Sequence, residues 1–270
     1  MKADLHVHTD ISDGSCDLKN TISFAKTSGI THLAITNHDT IKGINEAIAE
    51  GEKEGITIIP GIEISACDKK SGKKVHILGY FFDLIGPNIK KVCDPILERR
   101  KVNSQWQVDC LIREGFNIDI EELHQRSKNS GVIYKQHIMA ELIHENYMDE
   151  KYKSLYKEIF KGDGICAKDI EYADMIEAVK AIKADNGLAV LAHPGQLDSY
   201  NLIESLVDAG LDGIELNHES HSKEDHLRII EYSNKYKLIL TGGSDFHGLY
   251  GTPINIGDVE CPSKSHYIFK

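Results

Sequence analysis

Residues 3–8 have the sequence ADLHVH, and the interpretation of the whole chain starts from this stretch. Apolar and polar residues alternate in it, which predicts a β-strand with Leu5 and Val7 on one face and His6 and His8 on the other. Two imidazoles on one strand face can chelate a metal ion, although two surface histidines would give the same pattern. The remaining sequence has to decide between these two explanations.

Short β-branched runs alternate along the chain with longer segments of helical period. The predicted strands are 3–8, 32–37, 56–64, 74–82, 188–193, 212–217 and 237–243. The predicted helices are 17–28, 40–54, 174–186, 200–209 and 223–236. This alternation favours parallel strands joined by crossover helices, and seven such strands suggest a closed α/β barrel.

The alternation stops between about 95 and 172, where the pattern is helical and no strand is predicted. We therefore expect a barrel formed by residues 1–94 and 173–270, with a helical insert or cap at 95–172. By analogy with other inserted caps, the insert is expected to cover the barrel mouth and to help select the substrate. A helical prop that does not contact substrate is the alternative.

The composition limits the possible functions. The chain has 31 basic and 42 acidic residues, a formal net charge of −11, whereas proteins that coat nucleic acid or a membrane surface need a positive field. No apolar run approaches the roughly 20 residues of a membrane span. The six cysteines are scattered and form no Cys-x-x-Cys pair. We expect a soluble cytoplasmic protein.

Residue types that bind metal ions stand at the carboxyl ends of the predicted strands. In chain order they are His6, His8, His38, Glu63, His193, Asp245 and His247. This end of a (β/α) barrel holds the active site, and histidines that only pack a core have no reason to collect there. The sequence therefore predicts a metal centre at this end.

Two further candidate ligands have weaker local signals. Asp13 lies in Ser12-Asp13-Gly14, where a turn or helix-capping aspartate is the ordinary explanation. His76 falls near the start or middle of its predicted strand, where a buried core histidine explains it as well as a ligand does.

In order and residue type, these motifs resemble the PHP family, named for polymerase and histidinol phosphatase. The resemblance covers the whole chain except part of the insert. It is carried by His6-x-His8, Ser12-Asp13-Gly14, Asn37-His38-Asp39, Gly61-Ile62-Glu63, His76, His193-Pro194 and Ser244-Asp245-x-His247. It implies a distorted (β/α)7 barrel, here with an inserted helical subdomain, and three divalent metal ions.

The resemblance also implies how the ligands are shared among the ions. The sets are His6, His8 and Asp245 for the first ion, Glu63 bridging to a second ion completed by His76 and His193, and Asp13, His38 and His247 for the third. Asp39, next to His38, is expected either to orient an imidazole or to cap the helix predicted to begin near Thr40.

Nitrogen and oxygen ligands without a thiolate suit Mn, Zn or Fe better than Ca, which prefers oxygen alone. Three divalent ions carry six positive charges, of which Asp13, Glu63, Asp245 and a bridging hydroxide neutralise four. The remaining positive charge suits a phosphate dianion, and such ions can lower the pKa of bound water to about 7. The predicted enzyme is a metal-dependent phosphoesterase, for which the overall negative charge is no objection.

Substrate contacts are expected in the insert. The segment Lys135-Gln136-His137 resembles a basic-x-His segment of the PHP branch that acts on nucleotide 3′,5′-bisphosphates and short RNA ends, which makes Lys135 and His137 candidates. Many relatives have Arg-Pro at Lys135-Gln136; lysine keeps the cation but loses the bidentate fork. Arg99 and Arg100 are further candidates, with a solvated helix face as the alternative.

The segment His218-Glu219-Ser220-His221 matches a two-histidine loop of the same branch. Either His218 or His221 is a candidate for protonating the leaving group. A polar loop with surface imidazoles is the alternative explanation.

The predicted reaction is hydrolysis of a small phosphate monoester, first a nucleotide 3′,5′-bisphosphate and second the 5′ ends of short RNA. Histidinol phosphatase activity and hydrolysis of a cyclic phosphodiester are the nearest alternatives. An amidohydrolase is a distant one, because such enzymes commonly use a carbamylated lysine where this chain has Glu63, and a non-catalytic module would have lost ligands. We expect a small phosphorylated partner, no membrane and no stable nucleic-acid complex.

Overall fold

The computed structural model describes residues 1–269. Its strands are β1 (Ala3–Val7), β2 (His32–Ile35), β3 (Thr57–Cys67), β4 (Lys74–Tyr80), β5 (Ala173–Asp174), β6 (Leu188–Leu191), β7 (Gly213–Asn217) and β8 (Ile239–Gly242). Its α-helices are α1 (Leu18–Thr27), α2 (Ile44–Glu54), α3 (Pro87–Arg113), α4 (Ile120–Arg126), α5 (Lys135–Leu142), α6 (Glu150–Phe160), α7 (Met175–Ala184), α8 (Ile203–Ala209) and α9 (Lys223–Tyr236).

The strands form one nearly closed, barrel-like sheet. Seven of them pair in the order β1-β2-β3-β4-β6-β7-β8, and β5 adds a short parallel pairing to β3. The His8 amide donates to the Phe246 carbonyl at 2.9 Å, which brings the segment after β8 beside β1. The prediction of an α/β barrel with seven main strands is confirmed.

The prediction that the strands are parallel is wrong for β4, which runs antiparallel to both β3 and β6. Only residues 68–73 separate β3 from β4, too few for a crossover connection of about a dozen residues or more. The Asp68 amide donates to the Lys73 carbonyl at 2.8 Å, and Gly72 adopts the left-handed φ of 72° that closes the turn. The start of β4, with His76, consequently lies at the carboxyl end of its neighbours.

Two predicted elements are shorter than expected, for local backbone reasons. Helix α2 begins at Ile44 rather than near Thr40, because Gly43 directly before it has a left-handed φ of 81°. Strand β8 begins at Ile239 rather than at 237, because Lys237 has a φ of 58° and ends α9.

Separate apolar clusters support the barrel from inside and outside. A cluster made mainly of strand residues, including Leu5, Ile59, Leu78 and Val190, fills the interior. Outside, one cluster packs α1 and α2 against β1 to β3, and the largest packs α3, α7, α8 and α9 against the rest of the sheet. The sheet is thus covered on both faces, as strands rich in β-branched residues require.

Between Arg113 and Tyr172 the described chain contains helices and loops and no strand. The carboxyl-terminal part of α3 packs with α4, α5 and α6 around an apolar cluster of its own, which includes Val108, Leu111 and Ile159. Lys42 Nζ donates to the Asn129 carbonyl at 2.6 Å, and Asn129 donates to Asp10 at 2.7 Å. These bonds hold the helical segment against the loops that follow β1 and β2.

Among residues 1–269, no helix has the length and apolar character needed to cross a membrane. All six cysteines are free thiols.

Candidate metal centre

Five imidazoles surround the carboxylate of Glu63, whose side chain is 1% exposed. Nitrogens of His6, His8 and His38 lie at 3.3, 3.1 and 3.3 Å from Oε2. His76 Nδ1 and His193 Nε2 lie at 2.8 and 3.0 Å from Oε1. Glu63 sits on β3, and the carboxyl ends of β1, β2 and β6 together with the start of β4 supply the five histidines. The reversed direction of β4 is what allows His76 to join them.

The remaining candidate ligands complete the cluster. Atoms suited to metal binding fall into three groups, within each of which all atoms lie within 4.8 Å of one another. The groups are His6, His8, Glu63 and Asp245; His8, Asp13, His38 and His247; and His38, Glu63 and His76. His193 lies outside them but touches Glu63. The structure therefore brings all nine predicted ligands together.

The chemistry of these side chains fits divalent cations. Buried atoms that make no hydrogen bond include His6 Nε2, both ring nitrogens of His8, His38 Nδ1 and Asp245 Oδ1. Burying polar atoms without partners is costly, so such atoms are rarely left unpaired without a reason. In the described chain, the carboxylates of Asp13, Glu63 and Asp245 make ion pairs with histidines and with no lysine or arginine.

The carboxylates of this cluster stay ionised despite their burial. Burial by itself raises the pKa of Glu63, but His38, His76 and His6 hold the pKa of that carboxyl well below its usual range. The pKa of Asp245 is likewise low because His6 and His247 oppose the effect of burial. The centre therefore offers concentrated negative charge and nitrogen lone pairs to a cation.

Several buried polar residues that support the centre were not predicted from the sequence. Glu215, on β7, accepts hydrogen bonds from His6 Nδ1 at 3.1 Å and from the His193 amide at 2.8 Å. Asp4 accepts from the amides of Ser244 and Gly257 at 3.0 and 2.9 Å, and burial raises the pKa of Asp4 to about 6. In the sequence, each of these two residues is one acidic residue within an apolar strand. Such a residue forms no motif with a recognisable spacing, so the sequence alone did not identify it as functional.

Asp39 connects β2 to β3 and to α3. Its carboxylate accepts from the Ser65 amide at 2.8 Å, the Ser65 hydroxyl at 2.9 Å and Arg100 Nη2 at 2.9 Å. It makes no hydrogen bond to an imidazole and does not cap α2, which begins four residues beyond Thr40. Asp39 therefore braces the chain beside His38 through Ser65 and Arg100.

The two histidines after β7 have different surroundings. His218 Nε2 lies 3.3 Å from Asp245 Oδ2. In His221, Nδ1 lies 2.8 Å from the Leu216 carbonyl, to which it donates, and Nε2 accepts from the Gly195 amide at 3.2 Å. Both ring nitrogens of His221 are occupied by the backbone, whereas His218 contacts the ligand cluster.

The basic candidates in the helical segment do not line the cavity over the cluster. Lys135 Nζ lies 3.6 Å from Asp169, and Arg99 donates to the Glu171 carbonyl at 2.7 Å. Arg100 stacks on the Tyr134 ring at 4.7 Å and binds Asp39. His137 is buried, and its Nδ1 accepts from the Tyr134 amide at 3.2 Å.

A cavity of about 210 Å³ opens over the ligand cluster. Its wall contains seven of the candidate ligands and, among the described residues, no lysine or arginine. The other lining residues are Gln136, Tyr147, Gln196, Glu219, Tyr250, Gly251 and Thr252. Gln136 Nε2 donates to Asp13 Oδ2 at 2.8 Å. The helical segment thus reaches the centre through Gln136, which lies between the two residues that the sequence had suggested.

Comparison with known proteins adds independent information. Residues 4–239 match the family model described as PHP domain. A phosphoribosyl 1,2-cyclic phosphate 1,2-diphosphodiesterase of Eggerthella lenta is 45% identical over 257 residues, covering 95% of this chain and 98% of that protein. A 3′,5′-nucleoside bisphosphate phosphatase of Chromobacterium violaceum is 28% identical and covers 90% and 86%.

A solved structure gives the same result for the fold. A Bifidobacterium adolescentis protein assigned as a metal-dependent phosphoesterase superposes with a TM-score of 0.88 at 24% sequence identity. The match covers 98% of this chain and 94% of that one.

Proposed function

The chain belongs to the PHP family and is a metal-dependent phosphoesterase, and on this basis we propose that the centre around Glu63 hydrolyses a cyclic phosphodiester carried by a phosphorylated ribose. The convergence of five imidazoles on the Glu63 carboxylate carries the proposal for the centre. The Eggerthella lenta relative carries the proposal for the substrate, because 45% identity extends over nearly the whole of both chains.

We assign three divalent ions to the nine ligands. The proposed sets are His6, His8 and Asp245, with Glu63 bridging; Glu63, His76 and His193; and Asp13, His38 and His247. Mixed nitrogen and oxygen donors favour Mn, Zn or Fe. When bound, such ions supply Lewis-acid stabilisation of phosphoryl oxygens and lower the pKa of water.

The absence of lysine and arginine from the described cavity wall supports this assignment. A phosphate ester is anionic, and Glu219 on the same wall adds further negative charge. Without cations the cavity would repel its substrate, since neither Lys135 nor Arg99 faces it. The charge that attracts the phosphoryl group must therefore come from ions held by the ligand cluster.

Two side chains near the centre, Gln136 and His218, have separate roles in the proposed hydrolysis. Hydrolysis adds the oxygen of one water molecule to phosphorus, breaks one P–O ester bond and returns one proton to the departing alkoxide. Gln136 fixes the Asp13 carboxylate by donating a hydrogen bond to it. Of the two candidate acids we favour His218, because His221 donates and accepts within the backbone.

A nucleoside 3′,5′-bisphosphate is the second candidate substrate. The Chromobacterium violaceum relative supports it, at lower identity but also over most of both chains. Both candidates place a phosphate ester on a ribose, so the same centre serves either. They differ in the first step, because opening the cyclic diester gives a new phosphate monoester on the ribose, whereas the bisphosphate releases inorganic phosphate at once.

A ³¹P NMR assay on the purified protein separates these possibilities, with metal content measured on the same preparation. Phosphoribosyl 1,2-cyclic phosphate, a nucleoside 3′,5′-bisphosphate and histidinol phosphate are supplied in parallel, with Glu63→Gln as the inactive control. We expect the cyclic diester to be opened with the highest kcat/KM. A higher kcat/KM on the bisphosphate would replace the first substrate by the second, and metal-loaded protein inactive on all three would contradict the proposal.

A further inference from the structure

Glu215 is a fully buried carboxylate that touches the candidate metal centre without belonging to its predicted ligands. It lies on β7, whereas the two groups that it binds lie on β1 and directly after β6. Its only side-chain ion-pair partner in the described chain is His6. Burying a carboxylate costs free energy unless the carboxylate is well paired, so the presence of Glu215 at this place requires a reason.

The first contact of Glu215 determines which nitrogen of His6 faces the cluster. Oε1 lies 3.1 Å from His6 Nδ1, and an ionised carboxylate can only accept, so Nδ1 carries the proton. The other nitrogen, Nε2, then presents its lone pair at 3.3 Å from both Glu63 and Asp245 and makes no hydrogen bond. This is the tautomer that a metal ion requires.

The second contact holds the backbone of another candidate ligand. Glu215 Oε2 accepts from the His193 amide at 2.8 Å, and His193 has a φ of 22°, in a region that side-chain-bearing residues rarely adopt. Such backbone geometry is strained and persists only where neighbouring contacts hold it. One carboxylate thus orients the side chain of His6 and restrains the backbone of His193.

From these two contacts we infer that Glu215 is a positioning residue that fixes the metal-binding tautomer of His6 and the backbone of His193, and so couples the two ion sites that Glu63 bridges. The inference rests on the proposed metal assignment but concerns ion affinity and not the substrate. It can therefore fail or succeed whichever phosphate ester proves to be hydrolysed.

A comparison of Glu215→Gln with Glu215→Ala separates positioning from packing. Glutamine keeps the volume of the side chain, but its amide must place a donor against either His6 Nδ1–H or the His193 N–H. Alanine leaves space in which water can accept from both groups. A role in packing predicts that alanine is the more damaging change. A role in setting the tautomer predicts that glutamine harms ion binding at least as much.

The measurement is the Mn²⁺ dissociation constant of chelator-treated protein, with thermal unfolding of the same samples. We expect Glu215→Gln to weaken Mn²⁺ binding by roughly 10- to 100-fold, the usual effect of removing an outer partner of a ligand. Asp185→Asn is the matched control, because Asp185 is also buried and accepts from the Ile89 amide at 2.8 Å, at the start of α3.

Unchanged Mn²⁺ affinity in Glu215→Gln would overturn the inference. So would an equal loss of affinity in Asp185→Asn, or a larger loss of affinity in Glu215→Ala than in Glu215→Gln. Loss of Mn²⁺ affinity in Glu215→Gln with thermal stability no lower than that of Glu215→Ala would support it.

Discussion

Arg100 Nη2 lies 2.9 Å from Asp39 Oδ2, and this contact joins α3 to the end of β2 beside the candidate ligand His38. The Asp39 side chain is fully buried and that of Arg100 is 18% exposed. The guanidinium also stacks on Tyr134, so a single arginine links the helical segment to the barrel. Burial raises the pKa of Asp39, and Arg100 opposes that effect.

Replacing Arg100 by Met should leave the buried Asp39 carboxylate without a cation. Removing one partner of such a pair typically costs 3 to 5 kcal/mol, and the partial exposure of Arg100 places the expected loss near about 3 kcal/mol. Urea unfolding measures it. Arg99→Met is the matched control, since Arg99 only donates to a backbone carbonyl, and should cost about 1 kcal/mol. Equal losses of unfolding free energy in the two variants would show that the Arg100–Asp39 pair stabilises the fold no more than an ordinary hydrogen bond.

Glu63→Gln should abolish most of the activity and reduce the bound metal. The substitution removes the charge that five imidazoles surround, and glutamine cannot bridge two ions as a carboxylate does. Removing an outer partner of a ligand costs about 10- to 100-fold, so loss of the proposed bridging ligand should exceed about 100-fold in kcat/KM. Elemental analysis and the ³¹P assay measure both effects. Glu177→Gln, an exposed change on α7, should alter neither.

Removal of metal by a chelator should lower both activity and stability. Asp13, Glu63 and Asp245 then have only histidines to neutralise them. An ion at 100 times its dissociation constant stabilises the folded chain by about 2.7 kcal/mol. Thermal unfolding before and after dialysis, and after adding Mn²⁺, Zn²⁺ or Fe²⁺ separately, measures the effect. Full activity in protein shown by elemental analysis to be free of metal would contradict the assignment.

The sequence predicts much of the barrel because the strand period and the positions of the ligand-type residues agree. His6 lies on β1 and His8 directly after it, and the centroids of their rings are 5.3 Å apart beside Glu63. His38 and Asp245 follow strands whose carboxyl ends meet at one edge. Each of these motifs lies within a few consecutive residues, so it can be recognised in a single amino-acid sequence.

The direction of β4 and the role of Glu215 could not be predicted in the same way. Alternation in the 74–82 segment is identical for either strand direction, and only the short 68–73 connection excludes a crossover. Glu215 contacts one group on β1 and one directly after β6, and its importance depends on burial and pairing that no local pattern encodes. The same holds for Lys135, whose charge suggested substrate binding while its surroundings in the fold include Asp169 and Phe160.

Lys135→Met should change how stability depends on pH. Burial lowers the pKa of Lys135 to about 8, whereas an unfolded lysine titrates near about 10.4. Between these values the unfolded chain binds more protons, so the free energy of unfolding of the natural protein should rise with pH there. Its difference from Lys135→Met should shift by about 2 to 3 kcal/mol between about pH 7 and about pH 10.

Urea unfolding of both proteins at the two pH values measures this shift, and Lys180→Met, an exposed change on α7, provides the baseline. The same variant tests substrate binding. Because Lys135 Nζ faces Asp169 and the Phe160 ring, at 3.6 and 5.6 Å, and does not line the cavity, kcat/KM should stay unchanged. The same pH dependence of stability in all three proteins would show that the pKa of Lys135 is not lowered in the folded chain. A large rise in the KM of Lys135→Met would show that the Lys135 ammonium group binds the substrate.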